Sequence, residues 1–434
     1  MLLCLLIIKV KRSIQNMNKK SKFSQVLHHY PVLKKTGSLY FAILFNTLLG
    51  YVAVKLNTNL LSVSDFGKYS FFITTIAFSQ SLFTFGLFES TARLLAIEKD
   101  HFNLRKIQGT SYLLTLIFGL IYILFMCLWA SISDLFFQIK IGSLLMKFSP
   151  LVFVILYQNM LLITFRGSGD IKKLSWFTFT PRFVYIIVLL FLVFSQSFTL
   201  NSTSLSFLLA VFFVDIIFTL LAKPVFADIK AHVVLLFSEI KSFGRHLFVA
   251  SLASTLIFYI DKFILAYFLG AEQLAFYALA FTLTVPLAYF SSALSNSMYK
   301  EFANQRRIDP FIIKLNMLIV LSLVLLLILF RKFIVLELFS PLFTPSINVL
   351  VILAMAFCFV GFASPYTMFF KAKKKGETVR NITLIVVILI VVLSIILIPL
   401  MGINGGAIAL LLSYGFDYLL SLWLYNRYLT ATAS

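Results

Sequence analysis

Charge is scarce in this chain of 434 residues: only 12% are Asp, Glu, Lys or Arg, against about 25% in a soluble domain. That excludes an ordinary soluble enzyme and a disordered tail. Cysteine is scarce as well. Cys4, Cys127 and Cys358 cannot build a disulfide framework, and the last two lie inside apolar runs, where a thiol behaves as a small hydrophobe. With 10 Pro and 17 Gly, no collagenous or low-complexity reading survives. There is no Walker-type Gly-rich loop, so ATP hydrolysis is not expected. His28, His29, His101, His232 and His246 lack metal-ligand spacing; they are assigned no role, and no metal or other cofactor is expected. Acid is scarcer than base: 16 acidic against 37 basic side chains leave a net charge of +21.

What is present is apolar. Hydrophobic residues make up 61% of the chain, Phe alone supplies 50 residues, and the mean hydropathy is +0.99. A helix crosses a bilayer with about 20 mostly apolar residues. Twelve such segments are read at 37–60, 69–92, 107–133, 148–165, 175–195, 204–222, 247–268, 275–298, 311–330, 346–370, 381–398 and 405–424. Unbroken runs such as Leu315–Phe330 and Ile382–Ile398 suit helices, not the alternating strands of a barrel. The expected fold is therefore an all-α polytopic membrane protein.

These spans sort the basic residues. With the N-terminus inside, and with Lys314 at the cytoplasmic edge of span nine counted with its loop, 29 of the 37 bases fall in cytoplasmic segments and 5 in outer loops; Lys55, Arg182 and Lys262 remain inside spans. The bias predicts an N-in, C-in orientation and removes nucleic acid as the partner that +21 would otherwise suggest. The same basic surface attracts anionic lipid. Residues 1–36 read as a basic cytoplasmic segment. Its first eight residues are too short to span and lack a positive leader, so they are not read as a signal peptide, and Met17 is an alternative start. Residues 223–246 read as a cytoplasmic linker between six-span sets at 37–222 and 247–434.

The two sets resemble one another at consistent offsets. Thr180-Pro181-Arg182 opens span five and Thr378-Val379-Arg380 opens span eleven. Asp215 lies midway along span six and Asp417 midway along span twelve. Two parallel six-helix repeats, related by an axis along the membrane normal, place a path between the halves.

Four stretches resemble the Wzx-like polysaccharide flippases of the multidrug/oligosaccharidyl-lipid/polysaccharide superfamily. They are Leu60-Leu61-Ser62-Val63-Ser64-Asp65-Phe66-Gly67-Lys68-Tyr69; Phe165-Arg166-Gly167-Ser168-Gly169-Asp170 running to Pro181-Arg182; Tyr259-Ile260-Asp261-Lys262-Phe263-Ile264 followed by Leu269-Gly270-Ala271-Glu272 and Tyr277; and Gly402-Ile403-Asn404-Gly405-Gly406-Ala407-Ile408-Ala409. The resemblance implies a V of two six-helix bundles, like the MATE exporters, in a bacterial inner membrane. It also implies alternating-access transfer of a polyprenyl-pyrophosphate-linked O-antigen or capsule unit, driven by H⁺ or Na⁺. A glycan polymerase and a chain-length regulator are the implied partners. Related lipid II flippases carry two further helices, which are not read here.

Charges inside a bilayer each cost about 2.5–3.5 kcal/mol on insertion scales and need an explanation. Lys55, Lys262 and Arg182 are candidate cavity cations for pyrophosphate, a guanidinium binding phosphate through paired hydrogen bonds. Snorkelling to an interface is the competing reading for Lys55 and Arg182. Asp261 and Lys262 are adjacent, and side chains about 100° apart on a helix are not expected to aim at one spot; a structural ion pair with another helix is the alternative. Glu89 and Arg93 share a helix face four apart, as an i,i+4 pair or a gate. Asp215 and Asp417 read as packing groups or coupling-ion sites. Two other functions compete. A MATE-type drug/cation antiporter favours an acidic cavity. A polytopic glycosyltransferase or polymerase needs a sizeable charged outer loop, and loops 196–203, 269–274 and 399–404 are short and almost uncharged. A non-enzymatic carrier is the reading taken forward.

Overall fold

The computed structural model describes residues 31–431. The apolar start, Met17 and most of the basic segment 1–36 lie outside the described residues. The first set of helices is α1 (Pro31–Leu60), α2 (Val63–Leu82), α3 (Leu87–Ile97), α4 (His101–Phe136), α5 (Gly142–Phe148), α6 (Phe153–Gly167), α7 (Ile171–Phe194) and α8 (Leu200–Ala222). A linker helix, α9 (Ile229–Glu239), runs through a π-helical turn, Ile240–Gly244, into α10 (Arg245–Phe268). The second set continues with α11 (Ala271–Thr284), α12 (Pro286–Ser297), α13 (Tyr299–Asn304), α14 (Pro310–Leu329), α15 (Ser346–Ala372), α16 (Gly376–Met401) and α17 (Ile403–Ala431).

Among the described residues ten helices are long and apolar enough to cross a membrane, and two bent pairs raise the number to 12. All twelve coincide with the spans read from the sequence. Polar residues set their ends. Ser62 accepts from the Asp65 amide, Asp100 from Phe102 and Asn103, Asp170 from Lys173, and Asp309 from Phe311. A Thr199–Ser202 capping box opens α8. Each cap satisfies amide groups that no helical carbonyl reaches.

The bends were not legible as pattern. Helices α2 and α3 meet at 65°, and the stretch Gly142–Leu151 meets α6 at 50°. At the first break Phe85 and Gly86 adopt φ of 46° and 77°, the left-handed region that glycine enters without strain. A Cβ on Gly86 would lie 2.7 Å from the Gly244 carbonyl carbon, so the break is also where the linker crosses the first half.

Helix partners repeat between the halves. In the first, α1 packs on α7, α7 on α8, α4 on α6, and α6 on α8; in the second, α10 packs on α16, α16 on α17, α14 on α15, and α15 on α17. Span by span these are the same pairings, giving two six-helix bundles. Lipid-level faces carry exposed Leu128, Phe191, Phe194 and Leu400, as expected for side chains whose solvent is hydrocarbon.

The halves close on one another at the end bearing the 61–62 and 269–270 connections. There α2 packs on α11 so tightly that a Cβ on Gly67 would fall 1.8 Å from the Ala271 carbonyl oxygen. Phe66 meets Phe343 edge-on at 5.5 Å, Phe71 meets Phe263 at 5.6 Å, and the Gln138 amide donates to the Ala266 carbonyl at 3.0 Å. Toward the opposite end no packed helix pair joins α1 or α7 to α12 among the described residues.

The linker is more structured than a loop. Lys106 Nζ lies 2.6 Å from Asp228 Oδ2, and this ammonium holds the Asp228 carboxyl below the usual carboxylate range. His232, given no role from sequence, is a structural pin: it is buried, with Nε2 2.9 Å from Asn103 Oδ1 and Nδ1 2.9 Å from the Asp228 carbonyl.

Candidate functional site

Arg182 sits near the middle of α7. Eleven residues at about 1.5 Å each put it ~16 Å from the start of the helix, which is beyond snorkelling reach of that end. Sequence reading placed it two turns from the cytoplasmic edge; α7 begins earlier, at Ile171, than the apolar run does. The absence of a side chain at Gly50 on α1 makes room for the guanidinium, whose Nη1 is 2.8 Å from where a Cβ would stand. Nη1 donates to the Asn46 carbonyl at 3.0 Å. The residue remains exposed, yet Tyr69, Tyr185 and Tyr289 lie within electrostatic reach. Exposed, and within electrostatic reach of tyrosines from both halves, Arg182 stands on a wall that looks from the first half toward the second.

Tyrosines build that wall. The Tyr69 and Tyr185 hydroxyls are 2.9 Å apart, and Asn57 Nδ2 donates to the Tyr185 hydroxyl at 3.3 Å. Asn57 Oδ1 is buried with no hydrogen-bond partner among the described residues. From the second half Tyr289 lies within electrostatic reach of Tyr51 and Tyr259. Sequence reading quoted Tyr69 and Tyr259 only within the resemblance and gave none of these tyrosines a role in a site. Their positions along the spans were visible, Tyr69 at the start of span two and the others within theirs, but which face of each helix looks inward depends on rotation, which composition does not encode.

Lys262 and Asp261 form a sealed unit inside the second half. Asp261 is 0% and Lys262 6% exposed. The ammonium donates to the Phe258 carbonyl at 2.7 Å, lies 3.3 Å from Asp261 Oδ1, and stands 3.4 Å from the centre of the Phe281 ring. Tyr277 donates to Asp261 Oδ2 at 2.5 Å. The expectation that neighbouring side chains diverge is corrected here: the lysine stem folds back one turn and brings its head to its neighbour. In this conformation neither group is offered to a ligand.

Lys55 is exposed on the face of α1 that carries Leu48 and Val52, and its ammonium has no hydrogen-bond or ion-pair partner among the described residues. Arg93 does not pair with Glu89. Its partner is Glu239, at the end of α9, and the guanidinium also covers the Phe243 ring at 4.8 Å. The linker competes successfully because it lies across α3. Glu89 instead reaches Ser251 of α10, and its Oε2 is buried without a partner. Asp215 is 2% exposed, and neither carboxyl oxygen has a hydrogen-bond partner among the described residues. Asp417 is half-buried and accepts from Ser421 Oγ at 3.4 Å. No three His, Cys, Asp or Glu side chains come together as a metal centre among the described residues.

A sequence model of polysaccharide biosynthesis proteins matches residues 32–299, more than half of the chain. The chain belongs to the polysaccharide biosynthesis protein family. No curated protein matches it by sequence. Among solved structures, an inward-facing MATE-family multidrug resistance transporter of the MOP superfamily superposes with TM-score 0.74 at 15% identity, covering 89% of this chain and 95% of that one. The lipid II flippase MurJ in an inward closed conformation gives 0.68 at 15% identity, with 89% and 86% covered. A MOP superfamily transporter from Pyrococcus furiosus, described as having a binding pocket of reverse polarity, gives 0.60 at 14% identity, with 92% and 96% covered. At these identities the likeness is one of fold: this polysaccharide biosynthesis protein has the fold of MOP superfamily transporters.

Proposed function

We propose that this protein is a flippase that carries a polyprenyl-pyrophosphate-linked oligosaccharide across a bacterial inner membrane. The observation that carries the reading is Arg182: a guanidinium at mid-membrane depth, anchored to the Asn46 carbonyl and exposed between tyrosines of both halves. A cation within a spanning helix that has no carboxylate partner among the described residues is costly unless it serves an anion, and a planar guanidinium matches pyrophosphate. The tyrosine rings and hydroxyls offer a sugar both an apolar face and hydrogen bonds, while the polyprenyl tail stays in hydrocarbon. With the halves closed at the 61–62 end, the space is accessible from the opposite side, the cytoplasmic one on the charge-bias reading. Rocking of one bundle against the other then exposes it outward.

In this scheme Lys55 is a second cation on α1, the helix that also carries Tyr51. Lys262 becomes available only in a conformation that opens its Phe281 cover. Asp215, unpartnered, is the first choice for a site coupling to H⁺ or Na⁺, ahead of Asp417, Asp261 and Glu89. O-antigen or capsule units are the proposed cargo, and the polymerase and chain-length regulator the downstream partners. A drug exporter for cations fits less well, because the exposed charge within the tyrosine wall is positive.

The test uses purified protein in vesicles with a fluorescent polyprenyl-pyrophosphate oligosaccharide and a reagent that reports its outer-leaflet fraction. Charged hydrogen bonds contribute about 1.5–3 kcal/mol, so Arg182→Ala should slow transfer on the order of 10- to 100-fold. Arg182→Lys should retain part of the rate. Transfer by Arg182→Ala at the parental rate would sink the proposal.

A further inference from the structure

A groove of about 920 Å³ runs along the bilayer-facing flank of the first half, between α1, α7 and α8. Its walls are Phe45, Trp176, Phe179, Phe183, Phe218 and Leu221. Phe45 meets Phe179 edge-on at 5.2 Å, and Trp176 leans on Phe179 at 5.3 Å. Trp176, Phe183 and Leu221 are all exposed, Trp176 by 60%, so the groove is open sideways to lipid. Two cations, Lys172 and Lys173, stand at one end. Lys173 is tied to Asp170 at 2.9 Å. Lys172 is exposed and its ammonium has no hydrogen-bond or ion-pair partner among the described residues.

The dimensions match a lipid in one leaflet. From Lys172 to Val184, the last groove residue on α7, is twelve residues, about 18 Å of helix, against about 15 Å for half the hydrocarbon core. Lys172, Trp176, Phe179 and Phe183 recur on a single helix face, with the cations at the membrane edge and the aromatics below them. Basic pockets between spanning helices at that level bind anionic headgroups, and an exposed Trp at this depth suits the headgroup boundary. Arg182 leaves α7 on another face, toward Gly50 and Asn46 of α1. A phosphate held at Lys172 therefore lies about 15 Å along the helix from it. The groove suits a lipid whose phosphate stays at the membrane edge rather than one whose pyrophosphate enters the interior.

We propose that this groove is a binding site for an anionic bilayer phospholipid, its phosphate at Lys172 and Lys173 and its acyl chains along Phe45, Phe179 and Phe183. The site is separate from the transport path, and its test does not depend on transport. The protein contains three tryptophans; replacing Trp129 and Trp423 with Phe leaves Trp176 as the reporter. The variant is reconstituted with phosphatidylglycerol or phosphatidylcholine carrying brominated chains, which quench a tryptophan they touch. At about 1 kcal/mol per lysine near an anionic surface, phosphatidylglycerol should be enriched at Trp176 roughly fivefold or more. Lys172→Gln with Lys173→Gln should remove the preference. Equal quenching by both lipids, or a preference that survives the double lysine variant, would overturn the proposal. So would displacement of brominated phosphatidylglycerol by unlabelled polyprenyl diphosphate at low mole fraction. If the tryptophan variant does not fold, lipid retained by the otherwise unaltered chain is extracted and quantified. Phosphatidylglycerol should then be enriched, and the enrichment lost in the double lysine variant.

Discussion

Two buried aspartates of spanning helices are treated in opposite ways. Asp261 is surrounded by donors: the Tyr277 hydroxyl at 2.5 Å and the Lys262 ammonium at 3.3 Å. Asp215 has none among the described residues. Removing one member of a buried pair leaves the other charge uncompensated, a loss of about 3–5 kcal/mol, whereas removing an unpartnered polar group relieves about 1–3 kcal/mol. Thermal unfolding in detergent should therefore fall steeply for Asp261→Ala and hold or rise for Asp215→Leu. Equal loss in both would mean that Asp215 has a partner. The sequence announced that these charges were unusual, since each interrupts an apolar run. It did not say which were satisfied, because satisfaction depends on the Tyr277 and Phe281 side chains of a neighbouring helix.

At the scale of elements, existence was legible and interruption was not. Twenty apolar residues read as a span whether or not the helix breaks, so the 65° bend after Leu82 left no trace in the periodicity. The Phe85-Gly86 pair that makes it lies inside an apolar stretch. The linker read as a connection because its polar residues dominate, yet Ile229–Glu239 is helical and fastened to α4 through Lys106, Asn103 and His232. The fastening carries a pH dependence. Asp228 is held below its ordinary value, so its contribution is present above the unfolded carboxylate pKa of about 3.9 and is lost as pH falls through the depressed folded one. Asp228 is exposed, and the effect of the pair is modest. Hydrogen exchange of 229–239, corrected for intrinsic rates, should quicken on acidification. In Lys106→Met that acid-induced change should shrink.

For the whole molecule, charge bias is a statement about sidedness, and 29 basic residues on one side against 5 on the other set a clear expectation. In a cysteine-free background, Lys375→Cys should react with an impermeant maleimide only in inside-out vesicles and Lys140→Cys only in right-side-out ones; the reverse pattern would invert the orientation. The repeat was legible in pairs such as Asp215 with Asp417. Its members have nevertheless diverged: Arg182 faces the interior, while among the described residues the Arg380 guanidinium hydrogen-bonds Asn381 alone, at 3.3 Å. Equivalent positions thus share a fold role without sharing chemistry.

The joint between the halves is a continuous helix from Ile229 through the π-helical turn to Phe268, anchored by Arg93 to Glu239 and by the close approach of Gly244 to Gly86. A flexible tether tolerates an inserted residue as a little extra slack. A helical one converts it into rotation: one residue added between Glu239 and Arg245 turns everything beyond it by about 100°. The face of α10 that hides Asp261 would then point elsewhere. Chain length at this joint is an angular setting, and natural variants of the protein should vary freely in the loops at 196–199 or 305–309 while keeping the count from Arg93's partner to Asp261 fixed.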